Sequence, residues 1–173
     1  MDLAKILSAA VLLAATSAPA SAQDAAAEPV FGTVSFHAES RNDPLQLSVI
    51  AGGVIDIYES LMAPFEEEEP SEEFYAATDM CDGSVSSAPS VVLTYTAGDA
   101  MLIISAGSDG DTTLFVMGPN GEIFCSDDDG VGAFNPSVTV EEPVTGRYAI
   151  WVGSYDFDER PVADLQFSSR ESL

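Results

Sequence analysis

From Val91 to Phe167 the chain is interrupted every few residues by glycine, proline or aspartate, and the segments between these breaks are short and rich in β-branched and aromatic residues. Val91–Thr96 places Val91, Leu93 and Tyr95 on one face, the period of a strand rather than a helix. Met101–Ala106, Thr112–Met117, Glu122–Cys125, Ser137–Val140, Gly146–Ser154 and Val162–Phe167 continue the pattern. Gly118-Pro119-Asn120-Gly121 supplies a tight turn between two of them. Upstream, Phe31–His37, Leu45–Ile50 and Val54–Tyr58 read the same way, and Gly52-Gly53 predicts a hairpin joining the last two. About ten short strands, with no helix beyond the first residues, predict an all-β antiparallel sandwich of jelly-roll type.

Residues 1–22 carry the pattern of a secretory signal peptide. Lys5 precedes an apolar run from Ile6 to Ala15, and Ala20-Ser21-Ala22 is a small-x-small cleavage site. The run is shorter than the roughly 20 residues that cross a bilayer, so no membrane span is expected in the mature chain. The expected layout is a flexible tail at 23–30, one sandwich domain over 31–168 and a C-terminal tail at 169–173. Between Ala63 and Glu73 lie Pro64, Pro70 and six glutamates, which predict a solvated acidic loop inserted at 63–73.

Export places the chain in the periplasm or outside the cell, where cysteines oxidise. Cys81 and Cys125 are the only two, and a single disulfide is the expected use of them. A metal pair would need more soft ligands than the one histidine can add.

The full chain has 29 acidic against five basic side chains and a net charge of −24. Beyond the leader the basic residues are Arg41, Arg147, Arg160 and Arg170, with no lysine. Such a field repels nucleic acid and anionic membranes. It also suits a protein kept soluble in high salt, and composition does not separate that role from cation binding.

Asp111-Thr112-Thr113-Leu114-Phe115-Val116, Gly118-Pro119-Asn120-Gly121, Cys125-Ser126-Asp127-Asp128-Asp129, Asn135-Pro136 and Gly146-Arg147-Tyr148-Ala149-Ile150-Trp151-Val152-Gly153 occur in an order that resembles the bacterial pre-peptidase C-terminal domain. Phe31-Gly32-Thr33-Val34-Ser35, Asp43-Pro44 and Ala51-Gly52-Gly53 extend the resemblance to a stand-alone variant from exported alphaproteobacterial proteins. The resemblance implies a β-sandwich that assists secretion, substrate binding or solubility, with calcium bound in some relatives. It also implies a peptidase label by association, although no peptidase precedes the domain in this chain.

For catalysis, His37 is the only histidine, it falls in a predicted strand, and no Gly-x-Ser-x-Gly elbow occurs. The acidic loops suit a metal better. Asp109 and Asp111 precede one strand, Asp127, Asp128 and Asp129 follow the next, and Asn135 can add a neutral oxygen. Loops from distant strands meet at one end of a sandwich, so these oxygens could converge on Ca²⁺, which takes about 6–8 of them. The same residues also make ordinary turns on an acidic surface. Tyr148, Trp151 and Tyr155 raise a sugar-stacking platform, against which strand alternation assigns most of the aromatics to packing.

The sequence therefore predicts an exported, non-catalytic binding or accessory module, possible ligands being Ca²⁺ and a protein or polysaccharide partner. The alternatives are a small secreted hydrolase and an acidic, salt-adapted structural protein of the envelope.

Overall fold

The computed structural model describes residues 23–38, 40–65, 68–132, 134–170 and 172–173. The expected signal peptide at 1–22 lies outside the described residues.

Eleven strands form two sheets packed face to face: β1 (Thr33–His37), β2 (Leu45–Ile50), β3 (Ile55–Asp56), β4 (Ser84–Val85), β5 (Val91–Thr96), β6 (Leu102–Ser108), β7 (Thr112–Met117), β8 (Ile123–Ser126), β9 (Ser137–Val140), β10 (Gly146–Ser154) and β11 (Val162–Ser168). The larger sheet has β10 at its centre, paired antiparallel with β5, β7 and β4. β1 joins β5, β8 joins β7, and β3 joins β4. The smaller sheet runs β2-β11-β6-β9. From β5 onward the chain crosses repeatedly between sheets, which is the jelly-roll-like sandwich the strand pattern predicts. β1 is the exception to antiparallel pairing, since it lies parallel to β5.

Alternation decides which side chains meet between the sheets. Leu93 and Tyr95, Leu114 and Val116, and Tyr148, Ile150 and Val152 face Leu102, Ile104 and Ala106, Val138 and Val140, and Ala163, Leu165 and Phe167 in one buried core. The Tyr148 hydroxyl donates to the Val144 carbonyl at 3.0 Å and accepts from the Val144 amide at 3.2 Å, tying β10 to the turn before it.

Two expectations need correction. Gly52-Gly53 does not close a hairpin, because β2 lies in the smaller sheet and β3 in the larger. The chain crosses between sheets at this point: the Gly52 amide donates to the Val152 carbonyl at 2.9 Å, and Gly53 packs so closely that a Cβ would overlap the backbone of Val85. The run read as strand up to Tyr58 turns helical at Ile57, and helical turns also border the acidic stretch, of which residues 66 and 67 lie outside the described residues. α1 (Ile57–Met62) leads into a 3₁₀ turn (Ala63–Phe65), and α2 (Glu72–Thr78) follows. Asp56 caps α1 by accepting the Glu59 amide at 2.8 Å, and Ser71 caps α2 by accepting the Phe74 amide at 3.2 Å. Glu72 and Glu73 fall in the first turn of α2, where negative charge is favoured.

This insertion explains a second core. The outer face of the larger sheet presents Phe115, Ala149 and Trp151, which are buried with Ile57 of α1, Val85 and Cys81. Both faces of β10 are therefore covered, and Trp151 is fully buried rather than part of a platform. The expected disulfide joins Cys81, just past α2, to Cys125 of β8, with Cα atoms 5.0 Å apart.

Candidate metal centre

β7 and β8 form a hairpin with Leu114 opposite Ser126 and Phe115 opposite Cys125. The turn holds the closed end: the Gly118 amide donates to the Glu122 carbonyl at 2.8 Å, and Gly121 takes a φ of +86° that glycine adopts without strain. At the open end, Asp111 stands just before β7 while Asp127 and Asp128 stand just after β8. Each of these three residues offers a carboxylate oxygen within 4.8 Å of the other two.

Other loops close around them. The Tyr155 amide donates to the Asp111 carbonyl at 3.1 Å, which brings in the loop carrying Asp156 and Glu159. The disulfide draws Asp82 in from the opposite side, where it accepts the Gly83 amide at 2.6 Å. Burial, then the charges of Asp128, Asp111, Asp82 and Asp129, push Asp127 up to about 6. Burial, followed by Asp128, Asp156 and Glu159, also raises Asp111 above its ordinary value.

Nothing described compensates this charge. Oδ1 of Asp111 and Oδ1 of Asp127 are both buried without a hydrogen-bond partner. Arg160, next to Glu159, gives its guanidinium to the backbone carbonyls of Phe157, Glu159 and Gly53. Buried acceptors of this kind are ordinarily satisfied, so the pair calls for an unseen partner or a proton. An all-oxygen, all-anionic donor set suits a hard cation such as Ca²⁺ or Mg²⁺ and does not suit a thiophilic one.

The other expected ligands are placed differently. Asp129 accepts from the Ser126 hydroxyl at 3.3 Å and stands outside the trio. Asp109 lines a separate shallow pocket with Gly107, Ser108, Val162 and Asp164. Asn135 has its amide committed to the loop: Oδ1 accepts the Ser108 amide at 3.0 Å and Nδ2 donates to the Val131 carbonyl at 3.3 Å. Asp82 and Glu159 were not singled out by sequence reasoning. A signal existed for Asp82, because it follows Cys81 and the disulfide sets it beside the residues that follow Cys125.

His37 lies at the end of β1, exposed, with Nδ1 3.4 Å from the carbonyl oxygen of Ala38. Ser35 precedes it by two residues on the same strand.

No family model and no curated protein matches the chain. Among solved structures, it is similar to PliG of Aeromonas hydrophila, a periplasmic lysozyme inhibitor of g-type lysozyme, with a TM-score of 0.37 and 12% identity over 82% of this chain and 98% of that one. A likeness of that size carries no argument about partner or mechanism.

Proposed function

We propose that this protein is an exported, non-catalytic binding module whose Asp111, Asp127 and Asp128 loops take Ca²⁺, the ion fixing the end of the sandwich that engages a protein or polysaccharide partner. One observation carries the cation reading: carboxylates on two sides of a hairpin converge, and the buried Oδ1 atoms of Asp111 and Asp127 have no partner. Unlike charges on an open surface, these groups are partly withdrawn from water, where mutual repulsion is strong and a divalent ion relieves it most. Export is supported by the disulfide, a bond that persists in oxidising compartments. The resemblance to the pre-peptidase C-terminal domain belongs to the same proposal and rests on the order of its motifs.

Thermal unfolding of the oxidised protein tests the reading, with Ca²⁺ titrated against Mg²⁺ in ample NaCl. A ligand confined to the folded state stabilises by about 2.7 kcal/mol at a hundred times its dissociation constant. The expected result is a saturable rise in Tm with Ca²⁺, weaker with Mg²⁺, and lost in Asp111→Asn and Asp128→Asn. If the two ions act alike and further NaCl reproduces both, the acids form only a screened surface and the cation reading falls.

A further inference from the structure

At the opposite side of the chain's charge balance stands a pocket of about 540 Å³ beside β1, lined by Ser35, Phe36, His37, Ser40, Arg41, Asn42 and Leu45. The Ser40 amide donates to the His37 carbonyl at 3.2 Å, which holds Ser40 close to the end of β1.

Three features point to a ligand. Ser40 is nine-tenths buried, and its hydroxyl has no hydrogen-bond partner among the described residues. A buried hydroxyl left in that state is unusual and implies a missing partner. Secondly, the wall brings together the only histidine and one of the few arginines of a chain whose net charge is −24. Arg41 makes no ion pair among the described residues. Asp43, the acid two positions away, is turned elsewhere: its side chain is fully buried, accepting from the hydroxyls of Ser168 and Ser169 and pairing with Arg170. Those bonds also anchor the loop that carries Arg41 and Asn42, so the wall is held in place before any ligand arrives. Thirdly, the floor is apolar and fixed. Phe36 is 3% exposed and stacks on Tyr95 with ring centroids 6.2 Å apart, and Leu45 also lines the pocket.

We infer that this pocket binds a small organic carboxylate, with the anionic group at Arg41 and His37, the Ser40 hydroxyl donating to it, and the body of the molecule resting on Phe36 and Leu45. A planar guanidinium matches a carboxylate in a two-bond fork, and the volume falls within the roughly 300–1,000 Å³ of small-molecule sites. The site is independent of the cation centre and stands whether or not that centre takes Ca²⁺.

The test is a ¹H–¹⁵N chemical-shift titration of the oxidised protein with glucuronate, with an N-acetyl amino acid, and with neutral glucose. Both carboxylates probe the shared chemistry, and the difference between them tells a sugar acid from an amino-acid-derived one. The expected result is saturable shifts at Ser40, Arg41 and Asn42 for at least one carboxylate, with dissociation constants of about millimolar. Arg41→Gln should weaken this by about tenfold and Ser40→Ala by several-fold, with the rest of the spectrum unchanged. The inference is overturned if neither carboxylate shifts these amides, if glucose shifts them equally, or if Arg41→Gln binds as the parent does.

Discussion

Asp111 and Asp127 approach within 4.8 Å at the open end of one hairpin, each with an oxygen that is buried and unpartnered. Two partly desolvated carboxylates so placed repel each other, and the fold holds them there by means unrelated to charge: the β7–β8 ladder, the bond from Tyr155 to the Asp111 carbonyl, and the disulfide. The geometry is therefore maintained at a cost to the cation-free protein.

Replacing Asp127 by Asn should stabilise the cation-free protein while abolishing its response to Ca²⁺. Removing an unfavourable charge of this kind commonly contributes about 0.5–2 kcal/mol. Urea unfolding in a chelator gives the first quantity and the same experiment in Ca²⁺ gives the second. A variant that is less stable than the parent in chelator would show that Asp127 is satisfied in a way the geometry does not reveal.

The double change Cys81→Ser, Cys125→Ser should cost about 2–4 kcal/mol, since the disulfide closes the loop from Cys81 to Cys125 and fastens the end of the helical insertion to β8, beside the core of Phe115 and Trp151. It should also weaken Ca²⁺ binding, because Asp82 is then no longer held beside Asp127. Denaturant unfolding and calcium titration of the same sample check both effects. Unchanged calcium affinity would assign Asp82 a role in raising the Asp127 pKa without a role in binding.

How much of this could be read from residues alone depends on the range of the physics involved. The runs Leu45–Ile50, Val91–Thr96, Thr112–Met117, Ser137–Val140 and Gly146–Ser154 coincide with strands because alternation is a local property. The helical insertion is hidden in the sequence for an equally local reason. The glutamates and prolines at 64–70 masked two capping residues, Asp56 and Ser71, each with a glutamate in the turn it starts. Gly52-Gly53 looked like a hairpin because a glycine pair fits a turn and a sheet crossing equally well, and only the distant Val85 and Val152 decide between them. At the acid cluster, composition could name Asp111, Asp127 and Asp128 but could not sort them from Asp109, Asp129 and Asn135. That sorting depends on Ser108, Ser126 and Val131, whose bonds to Asn135 and Asp129 form only in the folded chain.

Tyr148→Phe should lower stability by about 1–2 kcal/mol without altering calcium affinity. The hydroxyl both donates to and accepts from Val144, so its loss strands a backbone amide and a carbonyl at the start of β10. Thermal unfolding with and without Ca²⁺ checks the claim, and a change in the calcium-induced shift would link this turn to the cation centre at the other end of the strand.

The pH profile of stability should have a maximum on the acid side of neutrality, set by three aspartates, two shifted upward and one downward. Asp127 titrates at about 6 in the folded protein against an ordinary value of 3.8. Between those values the folded state holds a proton that the unfolded state has released, so stability rises as pH falls through the window. Asp111 acts in the same sense. Asp43 acts in the opposite sense. Burial works to raise its pKa, but hydrogen bonds from Ser169 and Ser168 and the charge of Arg170 outweigh it and leave the value lowered. Its contribution is complete above 3.8 and is lost as pH falls through the lower folded value. Scanning calorimetry across the acid range in chelator should show Tm climbing as pH falls from neutrality, then dropping below 3.8. The general relief of charge in so acidic a chain adds to the climb, so the measurement that matters is the difference from Asp127→Asn, in which the climb should be smaller. Saturating Ca²⁺ should reverse the sign of the upper limb, because protons then compete with the ion for Asp127. An upper limb identical in parent and Asp127→Asn, in chelator, would remove Asp127 as its source.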